Sequence, residues 1–125
     1  MKFIVAGAPV PKQRPRFNTK TGKVYTPRKT KTAEDHIAWE YRASSGDYPL
    51  IDDALDLSVA ISFFLAKGQR ADIDNLTKTV LDALNGIAWK DDAQVVELHA
   101  VIFRDDDVPR TVVSIDVFDS QEEIL

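Results

Sequence analysis

An alternating run in the middle of the chain limits the folds that are open to it. Between residues 54 and 66, apolar residues occupy every second position, from Leu55 to Leu65. Alternation with a period of two over this length is typical of a strand that buries one face. We therefore predict a central β-strand at 54–66, with its apolar face turned towards the core.

A helical pattern follows this strand. Apolar residues recur at the spacing of one buried helix face at Leu76, Val80, Ala83, Leu84 and Ile87. Asn85-Gly86 then supplies a stop, because glycine adopts the left-handed conformation without a Cβ clash. Earlier in the chain, Thr32 is suited to cap the start of another helix, which we expect to run to about Ala43.

Shorter β-like runs complete the pattern at 2–6, 95–103 and 110–118, and turn residues within 14–26 predict a β-hairpin. This order of elements predicts an α+β fold, in which one mixed sheet carries two main helices on one face. The last two strands are expected to pair as an antiparallel hairpin, followed by a frayed or helical tail at 119–125. A length of 125 residues corresponds to a single domain, 1–125.

The composition excludes several classes of protein. The chain has no cysteine, so it has no disulfide, no thiolate metal site and no cysteine nucleophile. Its N-terminus is too poor in apolar residues for a signal peptide, and no apolar run approaches the roughly 20 residues that span a bilayer. We therefore expect a cytoplasmic protein without a membrane partner.

Charge is distributed unevenly along the chain. Residues 1–31 hold nine of the 16 Lys and Arg residues and none of the 20 Asp and Glu residues. A basic segment joined to an acidic body is typical of a protein that binds a polyanion and carries out acidic chemistry elsewhere. The alternative is that the basic residues only balance the acidic body.

The basic segment, 1–31, is suited to gripping phosphates along a hairpin edge. Phe17 and Tyr25 stand among its charges. They can stack on bases, although aromatic residues in such places are more often core residues or cross-strand pairs. We interpret this segment as a DNA-binding segment whose candidate contacts are Lys12, Arg14, Arg16, Lys20, Lys23, Arg28 and Lys29.

The acidic segment, 70–95, carries the candidate chemistry. Asp72 and Asp74 precede the second helix, Lys78 and Asp82 share a polar stripe with Asp74, and Asp91-Asp92 follows the helix. Each acid on its own can be a helix cap or part of a turn. Gathered carboxylates repel each other and need a cation, and Mg²⁺ takes one or two carboxylates together with waters and phosphate oxygens.

Several motifs together resemble the RusA family of Holliday junction resolvases, small endonucleases common in prophages and bacteriophages. The basic segment contributes P-x-P-K-x-R-P-R at 9–16 and G-x-x-Y-x-P at 22–27. The acidic segment contributes D-x-D-N-L-x-K at 72–78, D-A-L-N-G at 82–86 and W-x-D-D-x-Q-V at 89–95. Ala71 departs from the family, which commonly has proline there.

The resemblance implies an α+β, RusA-like fold and a homodimer that binds four-way DNA junctions. It implies paired, symmetric phosphodiester hydrolysis that depends on Mg²⁺, with Mn²⁺ as a substitute, in DNA recombination and repair. It assigns catalysis to Asp72, Asp74, Asp92 and Lys78. The same three aspartates would hold the metal, with Asp91 as support or a secondary ligand.

Two other functions remain open at the level of sequence. In a non-catalytic DNA-binding module, the acids would be structural and the basic segment would carry the function. A metal-dependent hydrolase of nucleotides or small phosphates would have little use for nine basic residues near the N-terminus.

Overall fold

A computed structural model describes residues 1–46 and 50–119 of the chain. It contains a four-stranded mixed sheet, a two-stranded ribbon and two α-helices, which confirms the α+β prediction. In chain order the elements are β1 (Lys2–Ala6), β2 (Arg16–Phe17), β3 (Val24–Tyr25), α1 (Arg28–Ser45), β4 (Leu57–Phe64), α2 (Ile73–Leu84), a 3₁₀ turn (Asp92–Gln94), β5 (Val95–Phe103) and β6 (Arg110–Val117).

Strand β4 is the centre of the sheet, as the alternating run predicts. It lies between β6, to which it is antiparallel, and β5, to which it is parallel. Leu57, Val59, Ile61 and Phe63 are all at most 1% exposed, whereas Ala60 on the opposite face is exposed. The apolar face of β4 is thus the floor of the core, and both helices cover that face.

The prediction that the last two strands pair as a hairpin is wrong. The strand order is β1-β6-β4-β5, so β5 lies at one edge and β6 is inserted between β1 and β4. Helix α2 crosses over between β4 and β5 and returns the chain parallel to β4. The turn after β5 then passes the end of β4, where the backbone N–H of Asp106 donates to the carbonyl of Leu65 at 2.9 Å.

Helix α1 begins earlier than predicted. Its N-cap is Pro27 rather than Thr32, so Arg28 and Lys29, assigned to the basic segment, lie in the first turn of the helix. Thr30 is fully buried in that turn, and its hydroxyl accepts a hydrogen bond from the backbone N–H of Gln13 at 3.2 Å. The helix continues through Ser45 and ends at Gly46.

Helix α2 has most of the buried face that its sequence predicts, but it begins at Ile73, so Asp74 lies in its first turn rather than before it, and Ile87 lies beyond its end. Leu76, Val80, Ala83 and Leu84 are at most 6% exposed, and the helix ends at Leu84. Gly86 follows with a φ of 79°, the left-handed conformation expected of a glycine stop.

The predicted hairpin at 14–26 is confirmed as a short antiparallel ribbon, in which Arg16 pairs with Tyr25 and Phe17 with Val24. The tail predicted at 119–125 lies outside the described residues from position 120 onwards. Within the described part of the chain, no helix has the length and apolarity that crossing a membrane requires.

The packing of α2 can be tested by truncating one side chain. Leu84 is 0% exposed, so we expect Leu84→Ala to lower the free energy of unfolding by about 2–5 kcal/mol through the cavity it leaves. Leu55 is 38% exposed, and Leu55→Ala should cost about 1 kcal/mol or less. Urea unfolding of both variants measures the difference, and equal losses would contradict this account of the core.

Candidate active site

The N-terminal end of α2 presents the first pair of candidate acids. Asp72 is the N-cap, and its carbonyl accepts the backbone N–H of Leu76 at 3.0 Å, while its carboxylate makes no capping hydrogen bond. Asp74 lies in the first turn, and one of its carboxylate oxygens accepts the backbone N–H of Asn75 at 2.9 Å. Capping of α2 therefore does not occupy the Asp72 carboxylate.

A cleft of about 460 Å³ separates α2 from the edge strand β5. Three of the four predicted catalytic residues, Asp74, Lys78 and Asp92, line it together with Asp82. Its remaining wall is largely apolar and consists of Ile73, Thr77, Leu81, Leu98 and Ala100. Asp72 is not part of this lining, although it directly precedes Ile73, which is. The fold thus brings two acids to one cavity, namely Asp74 from the first turn of α2 and Asp92 from beyond the end of that helix.

Asp91 and Asp92 have different surroundings although they are adjacent. Asp91 caps the 3₁₀ turn, where its carboxylate accepts the backbone N–H of Ala93 at 2.8 Å. Asp92 accepts the indole N–H of Trp89 at 2.8 Å, and Trp89 is fully buried. Asp91 therefore stabilises the turn, whereas the side chain of Asp92 lines the cleft.

Gln94 holds this turn in place, a role that sequence reasoning did not assign to it. Its side-chain oxygen accepts the backbone N–H groups of Lys90 and Asp91 at 3.0 and 3.3 Å. Its side-chain nitrogen donates to the carbonyls of Asp52 and Leu55 at 3.0 and 3.2 Å. The signal in the sequence that could have indicated this role is the position of Gln94 two residues after the Asp-Asp pair.

The donor set suits a hard divalent cation in part. Asp74 and Asp92 are two carboxylates facing one cleft, and Mg²⁺ in proteins takes one or two carboxylates and fills its other positions with waters and phosphate oxygens. Within residues 1–46 and 50–119, however, no group of three or more acidic or histidine side chains is arranged to hold a metal ion. The cleft therefore supplies part of a metal-binding set.

Residues 9–13 of the basic segment are fastened beside this cleft by hydrogen bonds. The backbone N–H of Lys12 donates to the carbonyl of Asn75 in α2 at 2.9 Å. The backbone N–H of Gln13 donates to Thr30, and the side chain of Gln69 donates to the carbonyl of Pro9 at 2.7 Å. Residues 9–13 are therefore tied to α1, to α2 and to the turn that leads into α2.

A second cavity, of about 390 Å³, lies between the basic segment and α2. Arg14 and Lys78 both line it, so one lysine borders the acidic cleft on one side and the basic segment on the other. The side chains of the other predicted DNA contacts except Lys12 are exposed, namely Arg16, Lys20, Lys23, Arg28 and Lys29. Phe17 and Tyr25 are also exposed, at 61% and 47%, so neither is a core residue.

Lys12 is placed differently from the other candidate DNA contacts. Its ammonium lies 2.7 Å from the Glu34 carboxylate and 3.1 Å from the Asp82 carboxylate, and its side chain is only 17% exposed. Burial acts to lower the pKa of Lys12, but the hydrogen bonds and charges of the two carboxylates outweigh it, so the pKa lies above its ordinary value. Lys78 shares the polar stripe of α2 with Asp82, but the ion-pair partner of Asp82 in the described structure is Lys12.

The Gln94 contacts predict a measurable cost. Gln94→Ala removes the side-chain partner of four partly buried backbone groups, and we expect the free energy of unfolding to fall by about 1–3 kcal/mol. Gln13→Ala removes a glutamine side chain that makes no such set of contacts in the described structure, and it should cost about 0.5 kcal/mol or less. Denaturant unfolding compares the two, and a Gln94 variant as stable as the Gln13 variant would remove this role.

Comparisons with known proteins agree with the geometry. The family model described as "Endodeoxyribonuclease RusA" matches residues 6–116. A protein of Aquifex aeolicus (strain VF5) named "Crossover junction endodeoxyribonuclease RusA" is 30% identical over 105 residues, which cover 81% of this chain and 79% of that protein. A protein of Bacillus subtilis (strain 168) named "Uncharacterized protein YqaN" is 31% identical over an alignment of 135 positions, which covers 92% of this chain and 94% of that protein. The chain therefore belongs to the RusA family of endodeoxyribonucleases, enzymes that hydrolyse phosphodiester bonds within DNA.

Proposed function

We propose that this endonuclease acts on four-way DNA junctions and resolves them by paired, symmetric incisions that require Mg²⁺. The observation that carries the proposal is the placement of Asp74, Lys78 and Asp92 in one cleft, directly beside a basic segment tied to the same helix. The name of the Aquifex aeolicus relative, a crossover junction endodeoxyribonuclease, supports the choice of substrate. Such an activity serves DNA recombination and repair in the cytoplasm.

The metal-binding residues in this proposal are Asp72, Asp74 and Asp92, with Asp91 as support for the turn. When bound, Mg²⁺ supplies Lewis-acid chemistry at the scissile phosphate and favours ionisation of the attacking water; Mn²⁺ can replace it. Lys78, four residues after Asp74 in α2, contributes a positive charge to the same cleft, where it can stabilise negative charge that develops on the phosphate oxygens.

Binding of DNA is assigned to the basic segment. Arginine side chains at 14 and 16 can grip phosphate oxygens bidentately, and the lysines of the ribbon and the first turn of α1 add point charges. Phe17 and Tyr25 occupy cross-strand positions in the ribbon, opposite Val24 and Arg16, and their exposed rings can also stack on unpaired bases. A homodimer would present two such segments and two clefts, in keeping with the approximate two-fold symmetry of a junction.

The cleft acids give the first test of catalysis. Asp74→Asn and Asp92→Asn should each lower the cleavage rate at least about 100-fold, because each removes a group that organises charge in the transition state. Junction binding should stay within about threefold of the wild type, since neither carboxylate contributes attraction to phosphates. Cleavage of a synthetic four-way junction and a gel-shift assay measure the two quantities.

Asp107→Asn is the matched control, because Asp107 is exposed and lies outside both cavities. It should cleave like the wild type. If the wild type binds the junction but produces no nick with Mg²⁺ or Mn²⁺, the chain is instead a DNA-binding module. Turnover of a nucleotide without any cleavage of DNA would point to a hydrolase of small phosphates.

The division of labour between the two segments gives a second test. Arg14→Ala combined with Arg16→Ala removes two phosphate contacts, so the slope of log affinity against log salt concentration should fall by about 2. Lys78→Ala should have the opposite profile, with a slower single-turnover rate at saturating DNA and little change in affinity. Identical profiles for the two variants would contradict the separate roles.

A further inference from the structure

One cation of the basic segment is used inside the protein. Lys12 bridges Glu34 of α1 and Asp82 of α2, and its side chain is largely buried between them. Its side-chain partners are both carboxylates, so a DNA phosphate would have to displace one of them to bind this ammonium. Lys12 therefore needs an explanation other than direct contact with DNA.

Asp82 has a second possible partner on its own helix. Lys78 stands four residues earlier in α2, and side chains at this spacing are neighbours on a helix surface. Both residues line the acidic cleft and also the cavity beside the basic segment. In the described part of the chain, Asp82 forms its ion pair with Lys12, and Lys78 forms none.

We propose that Lys12 is a positioning residue that acts through Asp82. By holding the Asp82 carboxylate, Lys12 keeps that carboxylate from neutralising Lys78, and the Lys78 ammonium stays available for a phosphate in the cleft. This inference rests on the proposed function only in its last step, the use of Lys78 on DNA. The competition between Lys12 and Lys78 for Asp82 is a property of the protein alone.

Removal of the Lys12 charge changes the surroundings of both carboxylates. Glu34 and Asp82 then face the same space without the cation that they share, and like charges drive them apart. The Asp82 side chain is about one-third exposed, so it is free to change its rotamer. Lys78 lies four residues earlier in the same helix, a spacing at which two side chains can form an ion pair. The hydrogen bond from the Lys12 backbone to Asn75 does not involve the side chain, so the basic segment remains attached to α2.

The experiment is a double-mutant cycle of Lys12→Met and Asp82→Asn. The first readout is the rate at which Lys78 is reductively methylated in DNA-free protein, followed by mass spectrometry. Lys12→Met should slow methylation of Lys78 at least about twofold where Asp82 is present, because ion pairing protects the amine. In the Asp82→Asn background the same substitution should leave that rate unchanged, since no carboxylate competes.

The second readout is single-turnover cleavage of a four-way junction with saturating protein and Mg²⁺. Lys12→Met should lower the rate about three- to fivefold, the rate equivalent of one charge pair at a partly exposed site. Most of that loss should be absent in the Asp82→Asn background. Lys12→Arg keeps the charge and should restore both the labelling of Lys78 and the cleavage rate. Lys67→Met, at an exposed lysine outside both cavities, is the control for loss of a charge.

The outcomes separate this inference from the proposed function. Lys78 labelling that does not respond to Lys12→Met, or that responds equally in both backgrounds, overturns the inference whether or not the protein cleaves DNA. A wild type that never cuts a junction overturns the proposed function, while the labelling cycle still decides the competition for Asp82. If Lys12→Met fails to fold, adding Glu34→Gln to all four proteins of the cycle removes the second carboxylate left without a cation.

Discussion

Burial of the apolar stripe of α2 against the sheet determines where the polar stripe of the same helix points. Leu76, Val80 and Leu84 are at most 1% exposed, so the helix cannot rotate without exposing them. Asp74, Lys78 and Asp82 are therefore held towards β5 and the basic segment. The crossover from β4 through α2 to β5 then places the Asp91-Asp92 turn at the start of β5, beside the same cleft.

The local parts of this arrangement could be predicted from the sequence because their signals are local. The alternation that specifies β4, the spacing that specifies the buried face of α2 and the glycine that follows it all lie within or directly beside the elements they describe. The resemblance to the RusA family assigned Asp72, Asp74, Lys78 and Asp92 to one site, and the structure places three of these four side chains, those of Asp74, Lys78 and Asp92, in a single cleft.

The parts that could not be predicted depend on partners far apart in the chain. The insertion of β6 between β1 and β4 depends on which strand buries its face best, and the core residues Val113 and Ile115 of β6 satisfy that demand. The start of α1 depends on Thr30, which meets Gln13 only when the basic segment folds back. The Lys12–Asp82 pair joins residues 70 positions apart, and neither residue identifies the other by type or spacing.

The contacts of Lys12 change the interpretation of the uneven charge distribution along the chain. Nine cations in the first 31 residues suggested a phosphate-binding segment with Lys12 among its contacts, yet the Lys12 ammonium pairs with two carboxylates of the acidic body. The backbone of Lys12 fastens the basic segment to α2, and its side chain forms an ion pair with Asp82. The two halves of the proposed site, the basic segment and the acidic cleft, are therefore coupled at this one residue.

Lys78 is the point at which the two halves of the proposed site meet. It borders the cavity that contains Arg14 and also the cleft that contains Asp74 and Asp92. A DNA strand gripped by the arginines would therefore meet Lys78 before it meets the carboxylates, which would otherwise repel it in a protein of net charge −4. In this proposal Lys78, which forms no ion pair in the described part of the chain, would allow a polyanion to approach an acidic site, and Lys12 would have to occupy the carboxylate beside it.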